Sequence, residues 1–426
     1  MSIKDIFSAI ANQSDLRKKV LFILGILVVY RLVANIPLPG VNALQLKQLF
    51  DGNQLLSMLN IFSGGGLSNI SIVLLGVGPY ITASIIMQLM TTIVPSLERL
   101  YKEEGEAGRQ KFNFWTRWLT VPLAGIQAFG MISLLKSQQV FTDLTPFSTA
   151  VIIITATAGS IFLMWLGELI TEKGLGNGVS MMIFAGIVAA LPTSVSRLAS
   201  TWDPSQFFSY VLFFLVGAIT IAGVILVNEG QRIIPVSYAK RVRGSQVYGG
   251  TASHLPLKVN QAGVIPIIFA VSIILIPTMM ANFIAQAYQG QKIGEMAIKA
   301  SAFLQDQTVY GSLFFILVIL FTYFYTTVVF DPYKISENLQ KQGGYVPGIR
   351  PGQATAEHLH YIIMRITLAG SVFLGIVAVL PYIVQGFTHV QAMQIGGVSI
   401  LIVVSVVLEF IKHTESQLAM RSYEGF

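Results

Sequence analysis

Apolar positions in this chain come in ten long blocks separated by polar or proline-marked breaks: 20–36, 70–94, 119–135, 147–170, 179–191, 207–227, 262–287, 310–330, 362–384 and 397–411. About 20 apolar residues suffice for a helix to cross a bilayer, and most of the blocks reach or approach that length. The block at 179–191 is the exception: it falls short of the roughly 17 residues of a perpendicular crossing, so a re-entrant segment is an alternative there. Prolines punctuate the pattern. Pro37 and Pro39 stop the first block and Pro95 the second, while Pro266 and Pro277 are expected to kink the seventh. The expected architecture is an all-α polytopic membrane protein.

The stretch IFSGGGLSNISIVLLGVGPYITASIIMQLMTTIVP, 61–95, departs from simple apolar regularity. Gly64, Gly65 and Gly66 each disfavour helix by about 1 kcal/mol relative to Ala, so 60–71 reads as a short irregular half-helix and 70–94 as a regular span. Irregular backbone at membrane depth is tolerated only where protein buries it or a water-filled cavity receives it. The chain is therefore expected to enclose a cavity.

Ahead of the first span, Ile3, Ile6, Phe7 and Ile10 recur at helical spacing, with Ser2 and Asp5 at capping-box positions, which predicts a helix over 2–11 on the membrane surface. No cleavable signal is legible before Arg17, Lys18 and Lys19, so the N-terminus is expected to be retained. The charged segment 98–117, ending in the interface-suited Trp115 and Trp118, reads as an exposed loop. Two further polar connections, 228–260 and 331–361, read as long loops.

Composition agrees with the blocks: hydrophobic residues make up 54% and charged residues 11% of the 426, and the mean hydropathy is +0.68. Cysteine is absent, which removes disulfides and thiolate metal sites. His358 and His360 alternate in a charged loop, whereas His254, His389 and His413 lie far apart, so neither a metal nor a cofactor is expected. Arg31, near the far end of span 1, reads as a snorkelling side chain.

Charge orients the chain. Six Lys or Arg (Arg31, Lys47, Lys136, Arg197, Lys292 and Lys299) fall on one side of the spans, which leaves 21 of the 27 on the side of the N-terminus. By the positive-inside rule that side is cytoplasmic. This asymmetry holds when 179–191 is counted as a crossing, which makes ten crossings with both termini inside. The turn-rich Trp202, Asp203 and Pro204 then separate two five-helix halves, 1–200 and 201–426, that enter the membrane in opposite senses. Inverted repeats place a shared site at their mutual interface, marked by discontinuous helices.

Several long stretches, in order, resemble the bacterial SecY family of protein-conducting channels: IPLPGVN from Ile36, FSGGGLSNISIVLLGVGPYITASIIMQL from Phe62, GLGNGVSMMIFAGIVA from Gly174, HLPLKVNQAGVIPIIFA from His254, GGYVPGIRPGQAT from Gly343 and SILIVVSVVLEF from Ser399. The resemblance covers nearly the whole chain. It implies ten helices around a central hourglass pore in the bacterial plasma membrane, through which unfolded polypeptides leave the cytoplasm, with a side opening that admits apolar segments into membrane lipid. It further implies SecE-like and SecG-like subunits, the SecA motor ATPase, the ribosome, and signal peptides and nascent chains as partners.

Residue by residue, the resemblance makes Ser63, Gly64, Gly65, Gly66, Leu67, Ser68, Asn69 and Ile70 the plug, and Val77, Ile81, Val179, Ile183, Ile268 and Ile402 the constriction. The family usually has Ile where this chain has Val77 and Val179. From the residues alone, Val77 with Ile81 and Val179 with Ile183 are i,i+4 pairs, which ordinary packing predicts as well. A branched aliphatic ring would gate by dewetting and offer a passing chain no polar partner. Ser84, Gln88 and Thr91 form a polar stripe at i, i+4 and i+7 beside the side opening, with Gln127 on span 3 as candidate partner. Bonding between neighbouring helices, at about 0.6 kcal/mol each, explains that stripe equally. Arg350 stands on a turn bracketed by Pro347, Gly348, Pro351 and Gly352, which taken alone reads as a solvated turn; the resemblance implies that it docks the motor or the ribosome together with Lys240, Arg241 and Arg243, where phosphate contacts would supply affinity without sequence specificity.

A secondary transporter would share inverted repeats and broken helices, but its coupling chemistry needs ionisable groups near the midplane. Glu168, Glu172, Glu229 and Glu409 instead sit at span ends. No catalytic constellation or nucleotide-binding P-loop is present, so the reading is a conduit, not an enzyme, with energy supplied from elsewhere.

Overall fold

The computed structural model describes residues 13–38, 66–67, 70–137, 140–141, 145–200, 204–238, 241–243, 246–248, 252–288, 291–388 and 397–424. The surface helix expected over 2–11 lies outside them. Thirteen helices are described: α1 Ser14–Val33, α2 Gly78–Ile93, α3 Pro95–Lys102, α4 Gly105–Ser137, α5 Pro146–Lys173, α6 Gly178–Ser200, α7 Phe207–Glu229, α8 Ile265–Ala287, α9 Lys292–Gln305, α10 Gln307–Val329, α11 Pro332–Lys341, α12 Gln353–Thr388 and α13 Gly397–Glu424. Short strands β1 Gln231–Tyr238, β2 Arg241–Arg243, β3 Gln246–Tyr248, β4 Ala252–Lys258 and β5 Gly344–Tyr345 complete the framework.

A helix stands at each of the ten apolar blocks. By length and apolarity alone five helices among the described residues qualify as membrane spans, and a sixth does so if α2 and α3, bent by 110° at Val94, count as one. Helix α6 is longer than the apolar run at the short block, continuing through Pro192 to Ser200, 23 residues or about 34 Å, while its apolar part, Gly178–Thr193, is shorter than a full span. In α7 only 17% of the apolar window is buried by protein, and Phe208 and Leu226 are 79% and 71% exposed. Lipid is the solvent that such a surface requires.

Helix starts follow local chemistry. Thr145 accepts from the Ser148 N–H at the head of α5, where Pro146 occupies the first turn. Asn177 caps α6 through the Ser180 N–H. Asp331 caps α11 through the N–H groups of Tyr333 and Lys334. Pro266 falls in the first turn of α8, where a missing N–H costs nothing, so only Pro277 interrupts the helix interior.

Two expectations change. The segment 98–117 is not a loop: α3 and the start of α4 enclose a tight turn at Glu103 and Glu104, and Gly105 takes a φ of +62° there. Trp115 and Trp118 stay exposed, at 59% and 63%. The connection 228–260 carries strands as well. Its strands β1 and β4 pair antiparallel from Gln231↔Lys258 to Ser237↔Ala252, and β2 and β3 form a hairpin. Alternation explains β1, because Ile234 and Val236 are buried and their strand neighbours are not.

The chain divides into two compact units. One comprises Met1–Trp202, Val271–Tyr310 and Ile402–Phe426, and the other Asp203–Ala270 and Gly311–Leu401. In the first, α2 and α5 pack on α4, and α1 packs on α5 and α6. Gly159 of α5 lies against the carbonyl of Ile72, and Gly178 of α6 against the carbonyl of Gly167 in α5, both too close to admit a Cβ. Arg117 Nε donates to Glu168 Oε1 at 2.7 Å across α4 and α5. In the second unit, a cluster of Ile234, Leu257, Val346, Leu359, Ile362 and Ile363 fastens the sheet to α12.

Candidate functional site

Among the described residues of the broken segment, 66–67 and 70–77, no helix stands before Gly78. Residues 72–77 run as successive turns, with Leu74 N–H donating to Ser71 O at 2.9 Å, Gly76 to Val73 O at 2.8 Å and Gly78 to Leu75 O at 3.3 Å. Its ends cross to the chain after α1: Leu38 N–H donates to Ile70 O at 2.8 Å and Ile72 N–H to Ile36 O at 3.0 Å, around a bridge between Pro37 and Ser71. These bonds satisfy backbone that hydrocarbon would leave orphaned.

The regular helix expected from residue 70 therefore begins eight residues later. Gly76 at φ +58° ends the turns, and Pro79 opens α2 from its first turn. That signal, GVGP, stood in the sequence but was hidden by the apolar run around it. Ile70 is the non-glycine residue with positive φ among those described, at +38°. Such a conformation costs a β-branched residue on the order of 1–3 kcal/mol, and full burial holds it. Leu67 and Ile70, 1% and 0% exposed, pack with Leu38, Leu74, Met131, Ile132, Leu135, Phe141 and Ile152. Of the expected plug, Gly66, Leu67 and Ile70 are thus described, while Ser63, Gly64, Gly65, Ser68 and Asn69 lie outside the described residues.

The six aliphatic residues all stand at helix beginnings. Val77 caps α2 and Ile81 is in its first turn, Val179 and Ile183 lie in the first six residues of α6, Ile268 in the first turn of α8, and Ile402 in the second turn of α13. Five belong to one compact unit and Ile268 to the other. Val77, Ile81, Ile183, Ile268 and Ile402 are buried and Val179 is half-buried. Val179 lies beside the Gly167–Gly178 approach, within 3.3 Å of a Cβ at Gly167, so close helix packing sets its position.

The polar stripe on α2 bonds mostly to itself. Gln88 Nε2 donates to Ser84 Oγ at 3.2 Å, and Thr91 Oγ1 to the Gln88 carbonyl at 2.6 Å. Gln127 of α4 does not reach the stripe; its Nε2 donates at 3.4 Å to Thr82 Oγ1, on another face of α2. Thr82, the crossing partner, was not distinguished by spacing because a threonine that bonds its own backbone, here Gly78 O at 3.0 Å, is ordinary in any helix. Gln88 Oε1 is buried without a hydrogen-bond partner among the described residues.

On the polar side, the two connections read as separate loops are joined. Strand β5 adds to β1 at Ser237↔Tyr345 and Tyr238↔Gly344, giving the order β4-β1-β5. Arg350 is exposed on the turn that follows β5. That turn is held from both sides: Thr355 Oγ1 donates to the Arg350 carbonyl at 2.8 Å and Ser336 Oγ to the Gly352 carbonyl at 2.6 Å. Gly348 and Gly352 take φ values of +84° and +95°, which the turn requires and only glycine adopts freely. Arg241 and Arg243 stand on β2 of the same unit; Lys240 lies outside the described residues.

Comparison with known proteins bears on this arrangement. The SecY family model matches residues 71–411. The protein translocase subunit SecY of Streptomyces galbus is 43% identical over 441 residues, covering 99% of each chain. That of Mycobacterium leprae is 43% identical over 431 residues, covering 97% of each. Among solved structures, that of a protein-conducting channel superposes with a TM-score of 0.65 at 18% identity, covering 95% of this chain and 93% of the other. Sec61 in a canine ribosome–channel complex superposes with a TM-score of 0.62 at 16% identity, with the same coverage. Matched by the family model over most of its length and aligned end to end with these relatives, the chain belongs to the SecY family.

Proposed function

We propose that this chain is the channel-forming subunit of a bacterial protein translocase, a conduit and not an enzyme, which passes unfolded polypeptides across the plasma membrane and releases apolar segments sideways into lipid. The observation that carries the reading is the largely buried, non-helical backbone at 66–67 and 70–77, ahead of a membrane helix, in a member of this family. Such backbone suits a stopper. It is satisfied by a few bonds to 36–38 and by packing, so it can leave without unravelling a helix.

In this reading Gly66, Leu67 and Ile70 belong to the plug, and Val77, Ile81, Val179, Ile183, Ile268 and Ile402 to the constriction, where aliphatic groups exclude water and ions. Ser84, Gln88, Thr91 and Gln127 line the side opening. Their weak bonds suit a seam that must part for an apolar segment. Arg241, Arg243, Lys240 and Arg350 dock a SecA-like ATPase or a ribosome on the cytoplasmic side, and SecE-like and SecG-like subunits complete the assembly. Both termini are cytoplasmic.

Two measurements test this. The chain has no cysteine, so single cysteines at Ser253 and Gln291 should react with a membrane-impermeant thiol reagent from the cytoplasmic and external sides respectively; reaction from one side for both ends the inverted-repeat topology. Arg350→Glu should slow motor-driven translocation of a secreted precursor roughly tenfold, equivalent to about 1.4 kcal/mol of docking free energy. Its stability should change by less than about 0.5 kcal/mol, because an exposed tip supports little packing. Translocation at the parental rate would remove Arg350 from docking.

A further inference from the structure

Between α8 and α10 lies α9, Lys292–Gln305, a helix that neither the conduit nor the docking surface uses. Its placement is constrained at both ends. Gly294 in its first turn sits so close to the carbonyl of Tyr288 that a Cβ would collide with it, and the carbonyl of Ala285 is 3.5 Å from that Cβ position. The helix therefore folds back on the last turn of α8. At its other end a single residue, Asp306, precedes α10 and caps it by accepting from the N–H groups of Thr308 and Val309 at 3.0 and 3.2 Å. A helix tied this tightly to two membrane spans stays at the level where those spans leave the bilayer.

Its side chains sort into arcs at 100° per residue. Gly294, Ala297 and Ser301 form the protein-facing side, with Ala297 and Ser301 only 8% and 5% exposed. Ile293, Met296, Ala300 and Phe303, at i, i+3, i+7 and i+10, form an outward arc in which Ile293, Met296 and Phe303 are 54%, 71% and 64% exposed, and a single further large apolar group, Ile298, is exposed at 57% on the opposite side. Lys292 and Lys299 flank that arc on one edge and are exposed too. An outward stripe of large apolar groups is a liability in water. On a bilayer it is the seat of an interfacial helix, with lysines rising to the headgroups.

We infer that α9 is a membrane-surface anchor that binds anionic phospholipid: Lys292 and Lys299 pair with headgroup phosphates while Ile293, Met296 and Phe303 enter the boundary of the acyl chains. Charge complementarity favours the anionic headgroup, since Lys292 and Lys299 stand next to the apolar arc, while Glu295, three residues from the first and four from the second, stands beyond them on the side away from that arc and leaves the pair a net positive charge. The inference does not depend on what the conduit carries.

The test uses the full chain in vesicles of phosphatidylethanolamine and phosphatidylglycerol, with a quencher attached to a lipid near the headgroup. An environment-sensitive fluorophore is placed on Met296→Cys, Phe303→Cys or Ala302→Cys in turn. Residue 302 points away from the proposed lipid face. Quenching at 296 and 303 should exceed that at 302 about threefold, as expected for an apolar face about 5–10 Å below the surface. Adding Lys292→Gln with Lys299→Gln should reduce the difference in these vesicles but not in phosphatidylcholine alone. Equal quenching at the three positions would overturn the anchor, as would shielding of 296 and 303 that appears only when partner subunits or a second copy are added. Indifference to both the lysine changes and the lipid charge would overturn the headgroup assignment.

Discussion

Ile402→Asn is expected to raise the resting ion conductance of the purified channel in planar bilayers and to let precursors with defective signal sequences be exported more efficiently. Ile402 is fully buried in the second turn of α13, beside the buried Val398, Leu401 and Val406. At a dewetted constriction, an amide in place of the branched side chain gives water a partner and removes apolar contacts that hold the closed state. The closed state should lose about 1–3 kcal/mol relative to the open one, and each 1.4 kcal/mol is about a tenfold change in their ratio. Less opening energy then has to come from the signal sequence. A core position answers differently: asparagine there lowers yield and thermal stability with no relaxation of signal selection. Well-folded variant protein with parental conductance would remove Ile402 from the pore.

Gly178→Ala should destabilise the protein by about 1–3 kcal/mol, because the added carbon meets backbone and not a side chain that could swing aside. The Cβ would run into the Gly167 carbonyl of α5 and come within 2.8 Å of the Ile170 Cβ, so α6 has to move bodily. Since α6 carries Val179 and Ile183 directly after this contact, a rise in resting conductance should accompany the lower melting temperature in detergent. Gly217→Ala is the control. Gly217 lies inside α7 with nothing within 4 Å of a Cβ, and alanine there should be neutral or stabilise the helix by up to about 1 kcal/mol. Equal melting temperatures for the parent and Gly178→Ala would show that the two helices are not in fixed contact.

What the residues alone determine here is the part of the fold that depends on solvent. Ten apolar blocks demand lipid wherever they end up in space, and a helix stands at each. The glycine run before Leu67 forecasts a discontinuity, and long ordered stretches such as HLPLKVNQAGVIPIIFA carry family membership. Tertiary structure decides what depends on partners distant in sequence. Helix α2 starts at Gly78 because 70–72 bond to 36–38 and Gly159 admits the Ile72 carbonyl, neither of which periodicity reveals. Residues 231–238 and 252–258 become strands because the remote Gly344 and Tyr345 and the apolar surface of α12 complete their sheet. Gln127 bonds Thr82 and not the more conspicuous stripe. Helix α9 shows its outward apolar arc only once Gly294 fixes which side of it meets protein. Hydrophobicity is a property each residue carries with it, whereas a hydrogen bond or a close approach exists only once the second group is in place.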